Sequence, residues 1–153
     1  MLKENDKAPD FSLISDEGKK INLKDFKGKK VILYFYPKDN TSGCTKEACS
    51  FRDSIKIFKK NNAVVIGISK DDISSHKKFK EKYALPFNLL SDESLETIKD
   101  YGVWKEKNMY GKKYMGIERT TFIIDEKGII RKIYPKVKVI GHIKEILNEL
   151  KNE

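Results

Sequence analysis

The sequence predicts an α/β fold: a central mixed β-sheet flanked by helices. Three observations predict it. Residues 31–36 (Val-Ile-Leu-Tyr-Phe-Tyr) and residues 63–69 are continuous β-favouring runs of the kind found in strands covered on both faces. Between them Cys44, Ala48, Phe51, Ile55 and Phe58 recur in steps of three and four, the stripe of an amphipathic helix and hence of a parallel βαβ unit. Residues 120–125 and 129–134 flank Glu126-Lys127-Gly128, a hairpin signal, and a helix with Ile143, Ile146, Leu147 and Leu150 on one face follows.

In chain order, short alternating runs at 11–15 and 20–23 flank Asp16-Glu17-Gly18-Lys19 and read as an N-terminal β-hairpin. Residues 23–28 suit a single helical turn stopped by Gly28. Pro37 ends the first buried strand, and the polar loop 38–43 leads into the amphipathic helix. After the second strand, Asp71 or Asp72 is placed to cap a helix whose stripe is Ile73, His76, Phe79 and Tyr83, closed by Pro86. Residues 87–90 form a weaker strand, a short helix runs from about 93 to 101, and residues 102–116 read as irregular. A βαβ unit followed by an antiparallel hairpin and a helix is the order of a thioredoxin-like fold. No repeat, linker or low-complexity tract divides residues 1–153, so one domain is expected.

Composition narrows the function. A chain of 153 residues with 39% hydrophobic residues can bury a core without disulfide staples. Two cysteines make neither a secreted disulfide scaffold nor a four-ligand structural zinc site. No apolar run approaches the ~20 residues that span a bilayer, and the N-terminus carries charge where a signal peptide has its apolar stretch. The expectation is a soluble, cytoplasmic protein without a membrane partner. The net charge of +9 comes mostly from lysines scattered among Asp and Glu on every element. That is a solvated surface rather than a nucleic-acid face, so no nucleic-acid partner is expected.

The informative segment is Tyr36-Pro37-Lys38-Asp39-Asn40-Thr41-Ser42-Gly43-Cys44-Thr45-Lys46-Glu47-Ala48-Cys49, between a buried strand and the helix after it. The C-terminal ends of strands in open α/β sheets are where ligands bind. A cysteine in the first turn of that helix lies near unpaired backbone N–H groups and the positive end of the dipole, both of which favour the thiolate. Cys44 is therefore the candidate nucleophile; the plainer alternative is a small buried hydrophobe. Cys49 lies off the stripe. In an intact helix, Cα atoms five residues apart are separated by ~8.7 Å and point ~140° apart, beyond what a disulfide spans. The two cysteines can bond only if the first helical turns unwind. On spacing alone the plainer, less favoured alternative for Cys49 is an unreactive, half-exposed residue.

Pro37-x-x-x-Thr41-x-x-Cys44 is similar to the PxxxTxxC signature of the peroxiredoxins, and the longer string YPKDNTSGCTKEAC resembles the bacterioferritin-comigratory-protein, or peroxiredoxin Q, branch. The resemblance extends to Ala8-Pro9-Asp10-Phe11, Phe51-Arg52-Asp53, residues 118–125 and residues 136–142; Ser42 departs from it, standing where the branch often has proline. The resemblance implies a thiol peroxidase acting on hydrogen peroxide and organic hydroperoxides, with no metal or organic cofactor. It implies that Cys44 attacks the peroxide and becomes a sulfenic acid, that Cys49 resolves it as an intramolecular disulfide, and that thioredoxin or a similar dithiol reduces the pair. Thr41 would hydrogen-bond substrate and thiolate, Pro37 would shield the pocket, and Arg119 would stabilise thiolate and developing charge, with Glu47 orienting it. The branch is often monomeric, although a dimer is compatible with the sequence.

His76 and His142 stand alone in sequence and read as satisfied histidines, not metal ligands. Trp104, Met109, Tyr110 and Tyr114 could wall a pocket, form a dimer contact or simply pack. No nucleotide motif is present. Two other functions fit less well. A general thiol–disulfide oxidoreductase has no use for a peroxide-activating Thr41 and Arg119, and a nucleic-acid-binding module needs more than scattered lysines.

Overall fold

Strand β3 (Lys30–Phe35) is an interior strand of the main sheet in the computed structural model, which describes residues 1–152. Successive side chains of a strand point to opposite faces. Val31, Leu33 and Phe35 enter one core, while Ile32 and Tyr34, with Tyr36 just beyond, enter the other. An unbroken apolar run is what burial on both faces requires. Around β3 lie β1 (Ser12–Ser15), β2 (Lys20–Asn22), β4 (Ala63–Ser69), β5 (Asn88–Ser91), β8 (Thr120–Ile124) and β9 (Ile130–Tyr134). The order across the sheet is β2-β1-β5-β4-β3-β8-β9. β3–β4 and β4–β5 are parallel, and the other pairs are antiparallel. The expected mixed sheet, N-terminal hairpin and 120–134 hairpin are all present.

Helices α1 (Ser42–Asp53), α2 (Ile55–Lys60), α3 (Ile73–Tyr83) and α5 (His142–Lys151) cover one face through Cys44, Ala48, Phe51, Phe58, Phe79 and Ile146. The short α4 (Glu96–Asp100) and the N-terminal segment cover the other through Ile98, Tyr101 and Phe11. Neighbouring strands pack closely within the sheet. Tyr34 pairs in register with Gly67 on β4, and a Cβ at Gly67 would lie 2.9 Å from Tyr34 Cζ. Among the described residues no helix is long and apolar enough to cross a membrane.

Three elements differ from the expectation, and the cap of α3, left open between two residues, is settled. The stripe from Cys44 to Phe58 belongs to two helices, because Ser54 takes a non-helical backbone (φ −107°, ψ 8°) and its carbonyl starts α2 by accepting from Ile57 and Phe58. The helix expected from 93 shortens to α4, since Leu95 sits at φ +68°. Asp72, not Asp71, caps α3 by accepting from Ser75 N at 2.8 Å. The segment expected to be irregular is instead a hairpin of β6 (Trp104–Met109) and β7 (Lys112–Ile117). Its turn is Tyr110-Gly111, both at positive φ, the backbone that two-residue hairpins require. The hairpin stands outside the main sheet and is mostly exposed, so its strands carry no apolar alternation to betray them.

Candidate active site

The loop after β3 delivers half-buried Pro37, then Asn40 in the left-handed region at φ +60°, and then Thr41 as the N-cap of α1. Cys44 is the third residue of that helix and is only 2% exposed, packed on the face formed by Ala48 and Phe51. Cys44 is thus a core residue that also lies in the first helical turn.

Arg119 reaches it from the link between β7 and β8. Its Nη2 donates to Cys44 Sγ at 3.4 Å and its Nη1 to Glu47 Oε1 at 2.6 Å. Glu47 is one turn along α1 from Cys44, so a single planar guanidinium braces both, which a lysine could not do. The approach depends on Gly43, where a Cβ would stand 3.2 Å from Arg119 Nη2. Burial works against the Arg119 charge, but the neighbouring Glu47 and Cys44 more than offset it and leave the guanidinium firmly cationic. Glu47 is 1% exposed and its Oε2 has no hydrogen-bond partner. Burial pushes its carboxyl from 4.5 up to about 7, against the pull of Arg119. The two partners move differently because Glu47 is buried more deeply than Arg119 can compensate.

Thr41 is exposed and its hydroxyl donates to Lys38 O at 3.0 Å, closing the loop on itself with the oxygen's lone pairs still free. Cys49 is half-buried on the same helix as Cys44, and both are free thiols. It lines an open groove of about 470 Å³ with Ser50, Val139, Ile140, Ile143 and Lys144. Cys44, Arg119 and Glu47 are thus brought together, whereas Cys49 faces a separate opening.

Two features escaped the sequence. Lys107 on β6 is partly buried; burial, followed by the Arg119 charge, pulls its ammonium below the usual lysine range, while the Cys44 side raises it. Asp39 and His76 form a fully buried pair at 2.7 Å. With Asp71 they offer three donor atoms within 4.8 Å, but each is already committed to hydrogen bonds inside the protein. His142 is likewise buried and satisfied, 2.8 Å from Thr121 Oγ1 and 3.1 Å from Glu145 Oε1. Met109, Tyr110 and Tyr114 are exposed on the hairpin, with Tyr110 at 99%.

A family model described as AhpC/TSA family matches residues 5–133. The chain belongs to the AhpC/TSA family. A curated relative, the putative peroxiredoxin bcp of Coxiella burnetii, is 58% identical over 144 residues, covering 94% of this chain and 95% of the relative. Among solved structures, peroxiredoxin Q of Xanthomonas campestris superimposes with a TM-score of 0.89 at 38% identity, covering 94% of this chain and 90% of that one. The Xylella fastidiosa PrxQ structure gives 0.94 at 36% identity, covering 99% and 97%. The resemblance seen in the PxxxTxxC segment thus extends over nearly all of the chain. This peroxiredoxin is a thiol peroxidase on a thioredoxin fold.

Proposed function

We propose that the chain reduces hydrogen peroxide and organic hydroperoxides through Cys44, with Cys49 as the resolving thiol. The Cys44 thiolate attacks one peroxide oxygen; the O–O bond breaks, the alcohol or water leaves with a proton, and Cys44 becomes a sulfenic acid. The Cys49 thiolate then attacks that sulfur, water leaves, and the Cys44–Cys49 disulfide forms. A thioredoxin-type dithiol returns both thiols by two exchange steps and is itself oxidised to a disulfide.

The observation that carries the reading is the Arg119 guanidinium, held by Glu47 at 2.6 Å and directed at Cys44 Sγ at 3.4 Å. A cation fixed before the reaction lowers the energy of the thiolate and of charge developing on the peroxide without reorganising. Thr41 Oγ1, with free lone pairs, is placed in this reading to accept from a hydroperoxide, and Pro37 stiffens the loop through its locked φ. The related Xanthomonas campestris bacterioferritin comigratory protein is described by its alkyl peroxide reduction activity, which supports the substrate class. The reading includes a single-domain monomer working in the cytoplasm, where reducing systems keep such dithiols available.

The test is peroxide consumption with a thioredoxin system. Cys44→Ser is expected to abolish turnover. Cys49→Ser is expected to retain one sulfenate-forming event per chain and then stall. Full activity in Cys44→Ser refutes the assignment.

A further inference from the structure

Asp39 lies midway between Pro37 and Thr41, in a loop whose neighbours Lys38 and Asn40 are exposed, yet it is 6% exposed itself. Both oxygens of its carboxylate are hydrogen-bonded inside the protein. Oδ1 accepts from the Tyr36 hydroxyl at 2.6 Å; Oδ2 accepts from the Ser75 hydroxyl at 2.8 Å and lies 2.7 Å from His76 Nδ1. The Asp39 backbone N–H donates to Asp71 Oδ2 at 2.8 Å, and that oxygen also accepts from Ser69 Oγ at 2.7 Å. His76 is completely buried on α3, and its Nε2 is 3.0 Å from Leu90 O. A carbonyl oxygen only accepts, so the hydrogen bond to Leu90 O is donated by Nε2, which leaves Nδ1 facing the Asp39 carboxylate. Breaking such a pair leaves a buried group unmatched, which makes it a strong tether.

None of these groups touches Cys44, and the peroxidase chemistry does not use them. Their position is informative. They tie the loop to α3 and to the end of β4 just before Asn40, whose left-handed backbone marks the turn into Thr41 and α1. The helix that must unwind for a Cys44–Cys49 bond begins immediately after the tether.

We propose that Asp39 and His76 are positioning residues for the Cys44 reaction: their buried contact pins residues 36–40 to α3, so that α1 can melt for disulfide closure while the Pro37 side of the pocket stays in place and re-forms the site on reduction. This rests on the Cys44–Cys49 reading above.

Hydrogen exchange on the reduced and peroxide-oxidised wild type is the first measurement. The Asp39 amide is expected to keep its protection in both states while amides at 45–51 lose theirs on oxidation; loss at Asp39 equal to that at 45–51 overturns the proposal. The second uses His76→Asn and Asp39→Asn, with rapid-quench mass spectrometry to separate sulfenate formation from disulfide closure. Sulfenate formation is expected to slow at least tenfold and closure to accelerate, so that more peroxide is needed to over-oxidise Cys44. Ser75→Ala, which removes one bond to Asp39, shifts both rates in the same directions by less. A role in stability alone lowers the thermal midpoint but leaves both rates unchanged well below it, and that result overturns the proposal. Should the variants not fold, the wild-type exchange decides. Failure of the underlying peroxidase reading looks different: wild type would form no Cys44 sulfenate or no Cys44–Cys49 disulfide.

Discussion

Replacing Glu47 by glutamine removes one negative charge from the most confined position in the site while keeping shape and an acceptor for Arg119. In the folded protein the carboxyl is raised from 4.5 to about 7, chiefly by burial and only partly countered by Arg119. The folded state therefore holds the proton more tightly than the unfolded chain. The associated stability is fully present below about pH 4.5 and is lost as pH rises through about 7. Each pH unit in that window is worth about 1.4 kcal/mol, so the whole is about 3 kcal/mol. Glutamine does not titrate and lacks this slope. Urea denaturation of reduced wild type and Glu47→Gln from pH 4.5 to 8.5 isolates the effect, because every other titrating group is common to both. The variant's stability relative to wild type should rise by about 3 kcal/mol across the range. Parallel curves would refute the reasoning and mean that Arg119 fully compensates the buried charge.

Three further outcomes are expected. Arg119→Lys keeps the charge but cannot brace Glu47 and Cys44 together, so stopped-flow oxidation of Cys44 should slow on the order of a hundredfold; a loss under threefold would show that charge alone suffices. Gly43→Ala adds a methyl 3.2 Å from Arg119 Nη2, so the peroxide rate should fall severalfold while the helix gains at most about 1 kcal/mol. An unchanged peroxide rate in that variant would mean the guanidinium has room to shift. Gly67→Ala places a Cβ 2.9 Å from the Tyr34 ring and should cost about 1–3 kcal/mol in thermal denaturation, an undisturbed midpoint showing that the sheet can give.

Local chemistry was legible in the sequence, and long-range chemistry was not. The run at 31–36, the stripe through Cys44 and Phe51, and the turn at Glu126-Lys127-Gly128 each encode their structure within a few residues, and all three stand in the fold. The buried run and the stripe after it placed Cys44 at the strand-to-helix turn, where it stands. Arg119 came only with the resemblance, because its contact with Glu47 joins segments 72 residues apart. The Asp39–His76 pair, 37 residues apart, left no periodic trace at all. His76 on the apolar stripe of α3 read as a satisfied histidine, which it is, but nothing nearby named its partner. The β6–β7 hairpin was hidden for a different reason: strands with little to bury have no reason to alternate, and only the Tyr110-Gly111 backbone marks the reversal.

The interruption at Ser54 gives the redox cycle a boundary. Helix melting is cooperative, and a continuous rod from 42 to 60 would carry a disturbance at Cys44 toward the cover of β4. As built, the helical backbone is broken at Ser54, and α2 keeps its own anchor through the fully buried Phe58. The seam works like a perforation in paper: the piece that comes away is set by where the holes are, and the rest of the sheet does not tear.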